Sequence, residues 1–237
     1  MSKTIVVVGA GAGLGQAVAR RFGGEGFGVA LVARTESRLT ALADELRGEG
    51  IDAAAFPCDV SDRVALDATV AAIVERFGRI DVVEFAPTGL DWLSRISPLP
   101  DTTVESLEYP LDLLVRAPMA MFGAVLPDMI ARGDGALLMS AGGSASRAYP
   151  QIGNIGIAMA AARNYQLNLN AALADTGVYA GLLQVGGGIA GSDAIREYGK
   201  DRDLGELLDP ADLAETYWDM YVKRDRFEEL IGPAFAA

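Results

Sequence analysis

Histidine is absent from this 237-residue chain, and cysteine occurs only once, at Cys58. A zinc site of the usual kind needs several cysteine or histidine ligands, so the composition excludes that kind of metal centre. It also excludes a catalytic triad with a histidine base. No disulfide can form within the chain, which is typical of proteins in a reducing compartment. We therefore expect a cytoplasmic protein without a bound metal.

Positive charge is also scarce, since 20 lysines and arginines stand against 32 aspartates and glutamates, for a net charge of −12 at pH 7. Such a surface repels a phosphate backbone, and no basic stripe offsets it, so we expect no nucleic-acid partner. The apolar run near the N-terminus is too short for a signal-peptide core or a membrane span, and we expect no membrane partner. With 51% hydrophobic residues, the chain can build a sizeable core.

Short apolar runs alternate with amphipathic stretches along the chain. Apolar runs bounded by turn residues predict buried strands, and apolar residues at helical spacing predict helices between them. This alternation is typical of an α/β fold with a Rossmann-type doubly wound parallel sheet. No linker or repeat interrupts it, so we expect a single domain over residues 1–237. The predicted strands are 5–8, 29–33, 53–57, 80–85, 136–140, 179–185 and an edge strand within 230–235; the predicted helices are 15–24, 35–48, 61–77 with Ser61 as N-cap, 111–132, 153–175 and 209–222.

A glycine-rich turn separates the first predicted strand from the first predicted helix, with the spacing Gly-x-x-x-Gly-x-Gly. Glycines let the chain turn sharply and let backbone N–H groups approach a phosphate, and the helix N-terminus adds a positive dipole end. In this position the motif predicts the pyrophosphate site of a nicotinamide dinucleotide; the alternative is a tight turn that binds no ligand. The predicted contacts are Gly9, Gly11, Ala12, Gly13, Leu14 and Gly15.

The end of the second predicted strand is expected to meet the adenosine ribose. An acidic residue at this point would bind the 2′-hydroxyl of NAD, but the sequence has Arg34, with Arg38 one helical turn later. Arginine suits a 2′-phosphate, so the sequence favours NADP(H) over NAD(H). The alternative is that Arg34 is only a solvated loop charge.

These features resemble the short-chain dehydrogenase/reductase family over nearly the whole chain. The glycine spacing is that of the family's phosphate loop, Asp59-Val60 is similar to its adenine-contacting pair, and Gly78-Arg79-Ile80-Asp81-Val82-Val83 resembles its fourth strand. Leu126-Pro127-Asp128-Met129 resembles the end of its fifth helix. The resemblance implies a homodimer or homotetramer formed through the two long apolar helices. It also implies further cofactor contacts at Asp59, Val60, Ala86, Pro87, Val185, Gly186 and Ile189.

The resemblance ends at the family's catalytic group of Asn, Ser, Tyr and Lys. Counting from Pro150 puts Ile155 at the tyrosine, Met159 at the lysine and Gly142 at the serine, and Leu114 falls near the asparagine. No tyrosine in the chain is followed four residues later by lysine. Because isoleucine and methionine have no proton to give, a reduced carbonyl needs another proton source.

Three hydroxyl residues near these positions are candidates for that source, namely Ser140, Ser144 and Tyr149. The ordinary alternative for each is a structural role at a strand end, in a small-residue loop or beside a proline. The segment 186–208 is glycine-rich and then charged, and the resemblance implies a substrate lid there; the alternative is a plain surface loop.

We therefore expect an oxidoreductase that uses NADP(H) and a non-standard proton source on an unknown, apolar small molecule. Two alternatives remain open. One is a redox-silent enzyme, of cyclase or isomerase type, that uses the cofactor pocket to shape a substrate cavity. The other is a cofactor-binding protein without catalytic activity.

Overall fold

The computed structural model describes residues 2–87, 94–198 and 205–235. Its centre is one seven-stranded sheet in which every pair of neighbouring strands is parallel. The strand order is β3-β2-β1-β4-β5-β6-β7, so the direction of the crossovers changes between β1 and β4. The strands are β1 (Thr4–Val8), β2 (Gly28–Ala33), β3 (Ala53–Pro57), β4 (Val82–Phe85), β5 (Gly135–Gly142), β6 (Val178–Val185) and β7 (Glu228–Ile231).

Helices cover both faces of this sheet. One layer consists of α1 (Leu14–Gly24), α2 (Glu36–Gly48) and α7 (Pro210–Lys223), and the other consists of α3 (Arg63–Phe77), α4 (Ala117–Arg132) and α5 (Gly153–Ala172). A short helix, α6 (Asp193–Tyr198), follows β6. In β1, Ile5 and Val7 belong to the core under the α1 layer, whereas Val6 and Val8 belong to the core under the α5 layer. Because both faces are covered, the strands are apolar at nearly every position. The predicted single-domain Rossmann-type fold is confirmed.

Every predicted strand and helix is present, but the N-cap of α3 was wrong. The cap is Asp62, whose carboxylate accepts hydrogen bonds from the backbone N–H groups of Val64 and Ala65. The predicted cap, Ser61, instead bonds through its hydroxyl and its N–H to Asp59. Ser61 is therefore held in an Asx turn by Asp59, and the next residue, Asp62, caps the helix.

Two strands begin or end away from their predicted limits. β4 begins at Val82 rather than residue 80, and the buried Asp81 just before it accepts the Thr4 N–H through its carboxylate and pairs with Arg79. β7 ends at Ile231, because Gly232 takes a left-handed backbone conformation with φ of +117° before the 3-10 turn at Pro233–Phe235. Proline has no N–H to offer to a strand ladder, which fixes the end of the edge strand.

The predicted helix 111–132 is irregular at its start. A single turn, Glu108–Leu111, and a π-helical stretch, Asp112–Arg116, run without a break into α4. Within the part of the chain that the structure describes, Glu105–Arg132 is the one helix long and apolar enough to cross a membrane, and helices in the core of soluble proteins pass the same test. Here Met121, Phe122 and Met129 are buried against the sheet.

A carboxylic acid lies inside the α1 layer. Glu84, opposite Leu138 in the β4–β5 ladder, is 0% exposed, and neither of its carboxylate oxygens has a hydrogen-bond partner among the described residues. Burial raises its pKa from 4.5 to about 8. The acid therefore stays protonated at neutral pH, since a neutral carboxyl costs far less to bury than a charged one.

Replacing Glu84 by valine is expected to stabilise the protein progressively as the pH rises. The folded-state pKa lies above the unfolded value, so the wild-type protein loses stability between about pH 4.5 and pH 8 as the unfolded chain ionises more readily. The advantage of Glu84→Val should grow by roughly 1 kcal/mol per pH unit in that window. Urea unfolding at pH 5, 6.5 and 8 measures it, with exposed Glu75→Gln as control. An advantage independent of pH would contradict a buried neutral acid.

Candidate functional site

The glycine turn between β1 and α1 forms a crowded cradle at the carboxyl end of the sheet. Gly9 has φ of +95°, and a Cβ there would lie 2.6 Å from the Ala86 carbonyl oxygen. A Cβ on Gly15 would lie 2.5 Å from the Gly9 carbonyl oxygen. Only glycine fits at these two positions, because any side chain would collide with backbone. The N-terminus of α1 is left open, with N-cap Gly13 also at φ of +95°.

A cavity of about 750 Å³ opens beside this cradle, along the carboxyl ends of β1, β2 and β3. It brings the glycine turn together with Arg34, which follows β2, with Arg38 in the first turn of α2, and with Asp59 and Val60 after β3. Open N–H groups and two guanidinium groups are the donors that a phosphorylated dinucleotide needs, and small side chains let it approach the backbone. Predicted contacts on this wall are Gly9, Gly11, Ala12, Arg34, Arg38, Asp59, Val60 and Pro87.

The other predicted cofactor residues lie around the same sheet edge without lining this cavity. Ala86 follows β4 and donates its N–H to the Val8 carbonyl. Ile189 lies against Gly13, where a Cβ would be 3.6 Å from the isoleucine side chain. Gly186, next to Val185 at the end of β6, bonds to the backbone of Ile231 and Ala234. Leu14 and Gly15 are buried in the first turn of α1.

No local pattern in the sequence indicates that Asp193 belongs to this cavity. Asp193 begins α6, inside the predicted lid 186–208, of which residues 199–204 lie outside the described part of the chain. Its carboxylate pairs with Arg196 and, at 2.7 Å, with Arg38, and all three residues line the cavity. Hydrogen bonding from Arg196 holds the pKa of Asp193 below its usual range, with help from the charge of Arg38. Asp193 is thus paired with Arg38, one of the two arginines predicted to bind the 2′-phosphate.

The residues that the sequence placed at the catalytic positions meet at the end of β5. The Gly142 N–H donates to the sulfur of Met159 at 3.3 Å, and the Ser144 hydroxyl donates to the same sulfur at 3.1 Å. A Cβ on Gly142 would lie 3.1 Å from that sulfur. Ile155, one turn before Met159 on α5, is buried in the same core. Leu114 lies in the π-helical stretch and packs on this core.

The three predicted hydroxyl candidates point to different places. Ser140 faces the α1 layer, on the side of β5 away from Met159, and shares a 2.6 Å hydrogen bond with the fully buried Tyr217 hydroxyl. Ser144 faces α5. The Tyr149 hydroxyl lies 3.3 Å from the position of a Cβ on Gly143, beside the 142–144 segment. Ser144 therefore contacts the Met159 sulfur, Tyr149 contacts the adjacent Gly143, and Ser140 lies on the other side of the sheet.

Asn154 shapes the wall of this site rather than its chemistry. It is completely buried, and its amide oxygen accepts the Ser97 N–H at 3.0 Å. Its amide nitrogen donates to the Arg95 carbonyl at 2.8 Å and the Ser106 carbonyl at 3.0 Å. One side chain thereby ties the segment before α4 to the start of α5. The sequence signalled only that this residue adjoins Ile155.

Comparison with known proteins gives one consistent answer. The family model for short chain dehydrogenases matches residues 3–201. The chain is 32% identical over 225 residues to the NADP-dependent 3-hydroxy acid dehydrogenase YdfG of Salmonella typhimurium, covering 90% of this chain and 87% of that protein. Three other curated relatives are longer, and the chain spans 59%, 17% and 46% of their lengths.

Two solved structures share the architecture over almost their full lengths. One is L-sorbose reductase from Gluconobacter frateurii complexed with NADPH and L-sorbose, with a TM-score of 0.86, 22% identity, and coverage of 100% of this chain and 98% of that chain. The other is a short chain oxidoreductase from Pseudomonas aeruginosa PAO1 with an atypical catalytic centre, with a TM-score of 0.87, 22% identity, and coverage of 99% and 97%. At this identity both show the fold alone.

Substitutions in the arginine pocket are expected to separate the two nicotinamide cofactors. Arg38→Ala should weaken NADPH binding about three- to tenfold and leave NADH binding unchanged, since only NADPH carries the 2′-phosphate. Asp193→Asn should tighten NADPH binding, because it frees Arg38 from a competing carboxylate. Fluorescence titration with both cofactors measures this, with Arg63→Ala on α3 as control. Equal losses for NADPH and NADH in Arg38→Ala would contradict a 2′-phosphate site.

Proposed function

The chain belongs to the short-chain dehydrogenase family, and from that premise we propose that it is an NADP(H)-dependent oxidoreductase for a small apolar molecule. The observation that carries the proposal is the 750 Å³ cavity in which the glycine cradle meets Arg34 and Arg38. Such a cavity at the switch between β1 and β4 is where open α/β sheets bind their ligands. The family resemblance and the NADP-dependent relative support the same cofactor.

Each part of the cavity has a defined task in binding. The glycine turn and the open N-terminus of α1 would hold the pyrophosphate, Arg34 and Arg38 the 2′-phosphate, and Asp59 and Val60 the adenine. When bound, NADPH supplies reducing equivalents to the substrate. The residues at the end of β5 then have two tasks, namely to orient the substrate oxygen and to deliver a proton to it.

We place the proton source at Tyr149. Ile155 and Met159 offer no proton, and Gly142 offers no hydroxyl, so a family-type serine, tyrosine and lysine group is absent from the positions that the sequence assigns. The half-buried Tyr149 has its hydroxyl beside Gly143, which in the chain stands between the two residues whose donors converge on Met159. Ser140 is a poorer candidate, because its hydroxyl bonds to Tyr217 on the opposite face of the sheet.

The apolar character of the region around the end of β5 favours an apolar or aromatic substrate. Ile155 and Met159 are buried members of the core under α5, and partly buried apolar side chains pack against this core, namely Ile96, Leu113, Leu114 and Ile152. A substrate held here would bind through apolar contact area and use a few polar groups for orientation.

Removing the Tyr149 hydroxyl is expected to abolish most of the reductase activity. With acetophenone as an apolar ketone, the wild-type protein should oxidise NADPH, and Tyr149→Phe should lower kcat by about 10²-fold or more, because a general acid is worth that much. Absorbance of the reduced nicotinamide measures the rate. Tyr165→Phe on α5 is the control, because it also removes a tyrosine hydroxyl, but from a ring that stacks on Phe122 and not beside Gly143.

Three outcomes of this assay would contradict the proposal in different ways. Tyr149→Phe activity equal to that of the wild type would remove Tyr149 as the proton source. Tight NADPH binding without turnover on a panel of ketones would favour a cofactor-binding protein. Conversion of a substrate without change in nicotinamide absorbance would favour a redox-silent enzyme.

We also propose that the chain forms a cytoplasmic homo-oligomer through α4 and α5. These helices lie side by side through the stacked rings of Phe122 and Tyr165, and both leave large apolar side chains exposed, namely Met119, Ile130, Ile157 and Leu167. A second copy of the chain would cover this surface.

Light scattering is expected to give a multiple of the 24.8 kDa subunit mass. Ile157→Glu should reduce the mass towards one subunit, because it places a charge in the contact. Val64→Glu on α3 introduces the same charge at an exposed apolar residue outside the contact and should leave the mass unchanged. A single-subunit mass for the wild-type protein would contradict the assembly.

A further inference from the structure

Two hydrogen-bond donors converge on a single sulfur atom at the end of β5. The backbone N–H of Gly142 and the hydroxyl of Ser144 both point at Met159 Sδ, from 3.3 Å and 3.1 Å. The β5–β6 ladder ends with the pair Gly142–Val185, so the Gly142 N–H lies at the open end of the strand. Ser144 is 9% exposed and Met159 is 8% exposed, so the convergence point is screened from water.

A thioether is a poor partner for two such donors. Sulfur is a weak acceptor, whereas a carbonyl oxygen carries two lone pairs and accepts two hydrogen bonds of ordinary strength. Two donors aimed at one point in a dry site are also the arrangement that stabilises negative charge developing on a substrate oxygen. The sulfur of Met159 therefore stands where an oxygen would bind better.

The donors are fixed in place, whereas the acceptor can move. Ser144 lies in a 3-10 turn, and Ser146, which follows this turn, bonds through its hydroxyl to the buried Gln184 at 2.7 Å. Gln184 in turn bonds to Glu228, which pairs through both oxygens with Arg163 of α5. Methionine has three rotatable side-chain bonds and adapts readily to a changed neighbourhood.

The sulfur is closely packed, so a ligand reaches the two donors only when the Met159 side chain rotates away. A Cβ on Gly142 would lie 3.1 Å from Met159 Sδ, and a Cβ on Gly156 would lie 3.6 Å from the Ser144 Cβ. Gly142 itself is half-buried at the end of β5.

We propose that the Gly142 N–H and the Ser144 hydroxyl form a subsite for the carbonyl oxygen of an apolar ligand, and that Met159 fills this subsite until the ligand displaces its sulfur. The inference rests on the proposed function, since it names how the substrate oxygen is held. It assigns the polarising task to Ser144 and to a backbone group, and it leaves proton delivery to Tyr149. The rest of the ligand would contact the partly buried apolar side chains that pack on this core, such as Leu114 and Ile152.

The test follows Met159 directly by NMR of the protein labelled with methyl-¹³C methionine. The chain has seven methionines, and the Met159 methyl signal is identified by its absence in Met159→Leu. Acetophenone should shift this signal in a saturable manner. Ethylbenzene, which has nearly the same shape but no oxygen, should not shift it at equal concentration. The same titration with benzoate shows whether the subsite binds a carboxylate oxygen or a neutral carbonyl oxygen more tightly.

Two variants test the hydrogen-bond donors and the Met159 side chain separately. Ser144→Ala should weaken acetophenone binding by roughly tenfold, because it removes one hydrogen bond to the oxygen. Met159→Leu keeps a similar volume without an acceptor, leaves both donors unpaired and should tighten acetophenone binding severalfold. The control is Val64→Ala on α3, an exposed apolar position outside the site and the proposed subunit contact, which should bind acetophenone like the wild type.

The inference is overturned by any of three results. These are equal shifts with ethylbenzene and acetophenone, unchanged acetophenone affinity in Ser144→Ala, or no shift of the Met159 signal up to the solubility limit of the ketone. If Met159→Leu fails to fold, the ligand pair and Ser144→Ala still decide. Displacement of Met159 by the ketone without NADPH oxidation would contradict the proposed function and support the subsite. NADPH oxidation without displacement of Met159 would support the proposed function and contradict the subsite.

Discussion

The close approach of backbone to backbone at the carboxyl ends of β1 and β4 is the constraint on which the site depends. A Cβ on Gly9 would lie 2.6 Å from the Ala86 carbonyl oxygen, and a Cβ on Gly15 would lie 2.5 Å from the Gly9 carbonyl oxygen. The turn can be this tight only because these residues have no side chains. It directs the open N-terminus of α1 towards the cavity, with Arg34 on the neighbouring strand end. The parallel sheet supports this arrangement, since all its strands end at one edge.

The two halves of the sheet edge differ in how they use polar groups. Around β1 to β3, charged and backbone groups surround an open cavity. At the end of β5, the polar groups of Gly142 and Ser144 are turned onto the sulfur of Met159. The second region is the drier one, so each hydrogen bond there has a larger effect on the ligand that it orients. Binding of the cofactor and orientation of the substrate thus depend on separate sets of residues.

The fold was predictable because its signals are local. Alternating apolar runs fixed the order of strands and helices, and the glycine spacing after β1 indicated the dinucleotide cradle. Features that depend on competition between neighbouring side chains were not predictable. Ser61 lost the N-cap of α3 to Asp62, because Asp59 took its hydroxyl and N–H. The ion pair between Arg38 and Asp193 joins residues 155 positions apart, and no local pattern signals such a contact.

The sequence by itself determined the class of fold, the place of the cradle, Arg34 and Arg38 after β2, and the lack of proton-donating side chains at positions 142, 155 and 159, because each follows from residue type and spacing. Only the tertiary structure decided which way the nearby hydroxyls point. Ser140 and Ser144 are four residues apart, yet they face opposite layers of the sheet, since β5 ends and a 3-10 turn begins between them. The change of backbone direction at that turn brings Ser144 to Met159, and strand periodicity carries no information about it.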